Sequence, residues 1–209
     1  MKQNVTVYLV DDHAVVREGY KHLLKKASIE VIAEANNGEE AYHHFNDIKP
    51  DVIIMDLSMP GMGGIEAISK ITSKNKQAKI LAFSMHDDII FSTRAMQAGA
   101  KGYVTKASAP SVLIEAVFAV AANKKYISQD MANKISMQQI DKKDTLSHLT
   151  PREFEVLQLL AKGFSLDAIA KTLHLDYKTI ANVQTKLRQK LNVESGSQLI
   201  LAAIKYNIL

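Results

Sequence analysis

Short apolar runs that stop at polar residues recur along the first half of the chain, each followed by residues spaced for one apolar helix face. The tightest is Val52, Ile53, Ile54, Met55, inside KPDVIIMDLSMPGMGG from Lys49 to Gly64. A run so short and branched, with no polar residue interleaved, suits a strand buried on both faces, as in a parallel sheet. Runs at Val5 to Val10, Val31 to Ala35, Ile80 to Phe83 and Tyr103 to Thr105 predict four more strands. Helical spacing covers Ala14 to Lys25, Glu39 to Phe45, Ile65 to Ile71 and Ile89 to Ala98, with Gly99 as a C-cap; Pro110 opens a fifth helix. This alternation predicts an α/β fold, a doubly wound five-stranded parallel sheet.

In such sheets ligands bind in the crevice at the carboxyl ends of the strands. Asp56 ends the central run, and Asp11 and Asp12 end the first. Three carboxylates in one crevice repel, and each is pushed toward its neutral form unless they share a cation. An all-oxygen donor set in a chain with no cysteine points to a hard divalent ion, Mg²⁺ before others, which keeps waters that a phosphate can replace. Lys106 and Ser84 follow two further strands and supply an ammonium and a hydroxyl. A carboxylate flanked by a metal, a lysine and a hydroxyl is equipped to attack phosphorus and hold the acyl phosphate formed. The chemistry requires that the acids converge and that solvent reach Asp56. The seven histidines show no metal-ligand spacing and read as surface residues, although His86, two residues past Ser84, is placed to modulate phosphate lifetime.

After Ala122 the texture changes. Residues 123–147 are polar and read as a linker, with a short helix near Gln129 to Met137, between a first domain at 1–122 and a last at 148–209. Charge divides at the same place: residues 1–123 carry 13 Lys and Arg against 14 Asp and Glu, and residues 124–209 carry 13 against 8. The basic surplus therefore sits in the last domain and suits a polyanion such as nucleic acid. There Thr150, Pro151 and Glu153 spell a capping box at a helix start, and Gly163 ends that helix. Ser165 caps a second helix through Leu173, and Asp176 a third through Leu191, the order of a helix-turn-helix in a small all-α domain. On the third helix Ile180, Val183, Leu187 and Leu191 share the core side. Lys178, Asn182, Thr185, Lys186 and Gln189 lie opposite. Lysines suit phosphates, and Asn and Gln suit an adenine edge in the major groove, so this face is the candidate DNA contact. The last helix, Ser197 to Tyr206, is apolar on most sides and fits either a dimer contact or burial in its own domain.

VDDH at 10 to 13, MDLSMPGMGG at 55 to 64, Ser84 and GYVTK at 102 to 106 resemble the receiver domain of bacterial two-component response regulators. With LTPREFEVL at 149 to 157, nearly the whole chain resembles the NarL/FixJ group, with its LuxR-type helix-turn-helix, and within it the GacA/UvrY-like members. The resemblance implies that Asp56 is the phosphoacceptor, that Asp12 and Asp56 ligate Mg²⁺ directly with the Ser58 carbonyl, and that Asp11 acts through water. It makes Ser84 and Tyr103 a switch pair. A phosphoryl group adds about 1.5 to 2 negative charges and draws Ser84 inward, and Tyr103 then turns from an exposed to a buried position. Many receivers carry proline after the lysine where this chain has Ala107; a cis bond there would cost about 3 to 4 kcal/mol. The chain also departs from many LuxR-type relatives at Ala181 and Val183, where a lysine and a histidine are common, and at Gly196, near which an arginine is common.

The expected protein is a cytoplasmic transcription regulator and not an enzyme. It is phosphorylated by a sensor histidine kinase, binds promoter DNA, and forms a homodimer once phosphorylated. Two alternatives fit the same residues. A phosphotransferase or phosphatase would share the acidic site, but Ser58 stands where a second acid two residues after Asp56 would act. A phospho-switch whose last domain binds protein is the other.

Overall fold

The computed structural model describes residues 4–138, 146, 148–206 and 208, which divide into two compact units, Met1–Asp141 and Lys142–Leu209. In the first unit six parallel strands form one sheet in the order β2-β1-β3-β4-β5-β6. The strands are β1 (Val5–Val10), β2 (Ile29–Ala35), β3 (Val52–Asp56), β4 (Ile80–Ser84), β5 (Gly102–Thr105) and β6 (Tyr126–Ile127). Helices α1 (Ala14–Lys26), α2 (Gly38–Ile48), α3 (Gly64–Lys74), α4 (Ile89–Gln97) and α5 (Pro110–Ala121) connect them. Every residue of β3 and β4 is buried. That explains the unbroken apolar runs, because both faces of a central parallel strand lie under helices. One side of the sheet packs Leu9, Ile54, Leu81 and Phe83 against Leu113, Val117 and Val120 of α5 and Leu24 of α1.

The chain builds outward from β1 first to β2 and then, on the other side, to β3. The connections therefore diverge between β1 and β3 and leave a crevice at their carboxyl ends. Register brings the acids to that crevice. Val10 lies opposite Met55, which sets Asp11 and Asp12 beside Asp56, while Ser84 lies opposite Thr105, one residue before Lys106.

The five-stranded sheet gains a sixth strand from the segment read as linker. Tyr126 N–H donates to the Lys101 carbonyl at 3.0 Å, and α6 (Gln129–Gln138) follows with Met131 buried. Two apolar residues make too short a run to announce a strand, and backbone pairing with the β5 edge supplies the rest.

In the second unit α7 (Pro151–Ala161), α8 (Leu166–Thr172), α9 (Tyr177–Leu191) and α10 (Gly196–Lys205) enclose Phe154, Leu157, Ile169, Ile180, Leu187 and Leu199. The Thr150–Glu153 capping box forms, and Ser165 accepts from Ala168 N–H. Asp176 makes no side-chain cap bond, contrary to expectation. The last helix starts one residue earlier than expected because Ser195 and Gln198 close a second capping box. Lys190 Nζ bonds Glu153 Oε2 at 2.7 Å and the His148 carbonyl at 3.0 Å, tying α9 to the start of α7.

Candidate functional site

Asp11, Asp12, His13 and Asp56 each bring one ligand atom within 4.8 Å of the others at the carboxyl ends of β1 and β3. Lys106 reaches across them from the end of β5, with Nζ 2.6 Å from Asp11 Oδ2 and 2.7 Å from Asp56 Oδ2. The other oxygens of these two acids are held by backbone. Asp11 Oδ1 accepts from His13 N–H at 2.8 Å, and Asp56 Oδ1 from Ser58 N–H at 3.1 Å. Asp12 Oδ1 differs. It is buried and accepts no hydrogen bond, although His13 Nδ1 lies 2.8 Å away.

Burial pushes the Asp56 carboxyl above its ordinary value, against the opposing pull of the Lys106 ammonium and the Ser58 amide. Burial also works against the charge on Lys106, yet Asp56 and Asp11 outweigh it and raise that pKa. The two directions belong together. One ammonium drawn by two carboxylates is held twice over, while each carboxylate has only a shared counterion.

The acids converge as required, but Asp56 is only 2 % exposed. The Lys106 side chain, itself 7 % exposed, is one of the groups that bury it, and Asp12, at 25 %, gives the open side. Solvent therefore reaches Asp56 poorly while the lysine bridges the acids. Ser84 is fully buried and accepts from His86 N–H at 3.2 Å. Tyr103 is also fully buried, with its hydroxyl donating to the His86 carbonyl at 2.6 Å; burial pushes that hydroxyl far above its ordinary pKa. The expected exposed starting position of Tyr103 is thus corrected: the carbonyl of His86, whose ring stacks on Phe91 at 3.8 Å, already holds it inside. Among the described residues no peptide bond is cis, so the bond before Ala107 is trans.

Sequence alone places His13 at the surface, and its side chain is 64 % exposed, yet its ring joins the acids. Its place directly after two aspartates at a strand end was the available signal.

On α9, Lys178, Asn182, Thr185, Lys186 and Gln189 are all exposed, and Ile180 and Leu187 are buried; Val183 and Leu191 are only half-buried. Thr185 Oγ1 donates to the Ala181 carbonyl at 3.0 Å and accepts from Arg188 at 3.4 Å, so this hydroxyl is already engaged within the helix. On α10, Leu199 and Ala203 are buried while Leu201 and Ile204 are 64 % and 47 % exposed, which leaves one apolar side uncovered within the unit.

Residues 7–118 match the response regulator receiver domain family, which is more than half of the chain. The chain is a response regulator. Residues 147–203 match the bacterial regulatory proteins of the luxR family, so this regulator joins a receiver to a LuxR-type DNA-binding domain and acts in transcription regulation. It is 34% identical over 208 residues to the response regulator UvrY of Escherichia coli K12, covering 98% of this chain and 95% of that one. It is 36% identical to the transcriptional activator protein ExaE of Pseudomonas putida over 97% of each chain. Among solved structures, RcsB of Salmonella enterica serovar Typhimurium bound to promoter P1flhDC in the presence of the phosphomimetic BeF3- matches with TM-score 0.70 and 26% identity over 98% of each chain. A LuxR-family two-component response regulator from Aurantimonas matches with TM-score 0.65 and 41% identity over 66% of this regulator and all of that chain. The family regulates transcription and is not one of enzymes.

Receiver domains generally bind Mg²⁺ at an acidic pocket, and the regulator has an aspartate cluster there. The donors fit that ion: carboxylate oxygens from two strands, one of them buried without a hydrogen bond. Among the described residues no helix is long and apolar enough to cross a membrane.

Proposed function

We propose that Asp56 is the phosphoacceptor of a signalling switch that controls promoter binding. The observation that carries this reading is the Lys106 bridge between Asp56 and Asp11 at the switch point of the sheet. Asp12, Asp56 and the Ser58 carbonyl would hold Mg²⁺ directly, with Asp11 acting through water. When bound, the ion neutralises charge on the transferring phosphoryl group. An Asp56 carboxylate oxygen attacks phosphorus and forms the O–P bond, while the P–N bond to the histidine of a sensor kinase breaks and the pair of electrons leaves with that nitrogen. Lys106 gives up part of its hold on Asp56 and pairs with a phosphoryl oxygen, which also opens the site.

The Ser84 hydroxyl then turns toward the phosphoryl oxygens. It releases the His86 amide, and the His86 carbonyl that holds Tyr103 moves with it. In this form Ser84 and Tyr103 remain a switch pair, acting through residues 84–86 rather than by burial of an exposed ring. The receiver role is assigned to residues 1–122 and DNA binding to 148–209, joined through 123–147. Lys178 and Lys186 would meet phosphates, and Asn182, Gln189 and Thr185 base edges. The exposed Leu201 and Ile204 would form the homodimer contact after phosphorylation, and the protein would work in the cytoplasm.

The test is promoter affinity of the full chain before and after treatment with a small phosphodonor and Mg²⁺. Treatment is expected to tighten binding by the wild type and leave Asp56→Asn unchanged. Equal tightening of both would remove Asp56 from the role.

A further inference from the structure

We infer that Glu39 is a positioning residue for the metal-binding loop, an inference that rests on the reading of the acidic cluster and the Ser58 carbonyl as a Mg²⁺ site. Residues 57–63 leave β3 directly after Asp56 and carry both the Ser58 N–H on Asp56 Oδ1 and the Ser58 carbonyl. Ser58 and Pro60 are exposed, while the side chains of Leu57, Met59 and Met62 are buried and anchor the loop by packing. Two further fixtures act on its backbone. At its base Gly64 N–H donates to the Leu57 carbonyl at 3.2 Å, and Gly64 lies so close to β3 that a Cβ there would come within 2.0 Å of the Asp56 carbonyl oxygen.

At its apex the fixture comes from α2. Glu39 Oε1 accepts from Met62 N–H at 2.7 Å, a charge-assisted bond to a buried amide. Gly61, with φ +74°, carries no side chain where a Cβ would sit 3.2 Å from both Glu39 oxygens. Gly38 passes beneath the same turn, where a Cβ would meet the Met62 carbonyl oxygen at 2.3 Å. The first turn of α2 is thus moulded to residues 61 and 62, and the α2 amino-terminal dipole favours the carboxylate there. Among the described residues Glu39 forms no ion pair with a lysine or arginine; its bond goes to the loop backbone.

A divalent ion such as Mg²⁺ demands near-ideal octahedral geometry, so a carbonyl ligand on a slack loop costs affinity. Glu39 sets the path of the loop and thereby the place of the Ser58 carbonyl. Its negative charge offers a rival explanation, simple attraction of a cation, and three variants separate the two. Glu39→Asp keeps the charge but is one methylene too short to reach Met62 N–H; Glu39→Gln keeps the reach and an acceptor oxygen but loses the charge; Glu39→Ala loses both.

The experiment is calorimetric titration of the full chain with Mg²⁺ alone, alongside amide hydrogen exchange at Ser58 and Met62. Positioning predicts that Glu39→Asp and Glu39→Ala weaken Mg²⁺ binding by about tenfold, with faster exchange at both amides, and that Glu39→Gln weakens it much less. Glu39→Asp binding like the wild type, or Glu39→Gln falling with Glu39→Ala, would overturn the inference in favour of bare charge. A wild type that takes up no Mg²⁺ would overturn both the inference and the reading beneath it.

Discussion

Replacing Lys106 with Met keeps the stem of the side chain and deletes the ammonium, which isolates the electrostatic role of this residue. In the structure that ammonium is the shared counterion of Asp11 and Asp56, whose side chains are 2% and 3% exposed. Removing one partner of a buried ionic group typically costs about 3 to 5 kcal/mol, because the charges left behind have lost both water and partner. Two things can replace the ammonium. A proton is one, since the Asp56 carboxyl is already displaced upward, and each unit of pKa shift corresponds to about 1.4 kcal/mol. Mg²⁺ is the other; at about one hundred times its dissociation constant it stabilises the folded state by about 2.7 kcal/mol. Without a lysine competing for the same oxygens it should bind the variant more tightly.

Lys106→Met is therefore expected to lose about 3 to 5 kcal/mol at neutral pH without Mg²⁺, less near pH 5, and to regain more on adding Mg²⁺ than the wild type gains. Urea unfolding read by hydrogen exchange at β1 and β3 amides separates this transition from that of the second unit. A variant as stable as the wild type without Mg²⁺ at neutral pH, or equal stabilisation of both by Mg²⁺, would refute the counterion argument.

Further predictions concern the other named groups. Because the folded pKa of Asp56 is raised above 3.8, its contribution to stability is complete below that value and is lost as pH rises through the folded pKa. Without Mg²⁺, Asp56→Asn should lack this acid-side gain in stability, and an unchanged pH profile would contradict it. Lys178→Ala and Lys186→Ala should each weaken binding to duplex DNA across sequences and reduce the slope of log affinity against log salt by about 0.9; slopes that match the wild type would deny phosphate contacts. Leu201→Lys with Ile204→Lys should abolish self-association of the phosphorylated protein in sedimentation while leaving the melting of the second unit nearly unchanged, since both side chains are already exposed.

The sheet was legible because burial on both faces leaves a mark at Val52 to Met55 that no polar residue interrupts. Register then did the rest: strand ends that are remote in sequence meet because parallel pairing sets Val10 beside Met55 and Ser84 beside Thr105. Features that depend on a partner rather than on periodicity escaped. Tyr126 and Ile127 form a strand only because β5 offers an open edge. The Glu39 contact with Met62 spans 23 positions and has no local signature. Likewise the inward Tyr103 depends on a carbonyl 17 residues away, and nothing at Tyr103 itself foretells it.

Peptide mapping by mass spectrometry after brief exposure to a small phosphodonor tests the central claim most directly. One phosphoryl group should appear on the peptide that contains Asp56, only when Mg²⁺ is present, and not in Asp56→Asn. Phosphoryl on another peptide of the wild type, or equal labelling of Asp56→Asn, would contradict the account.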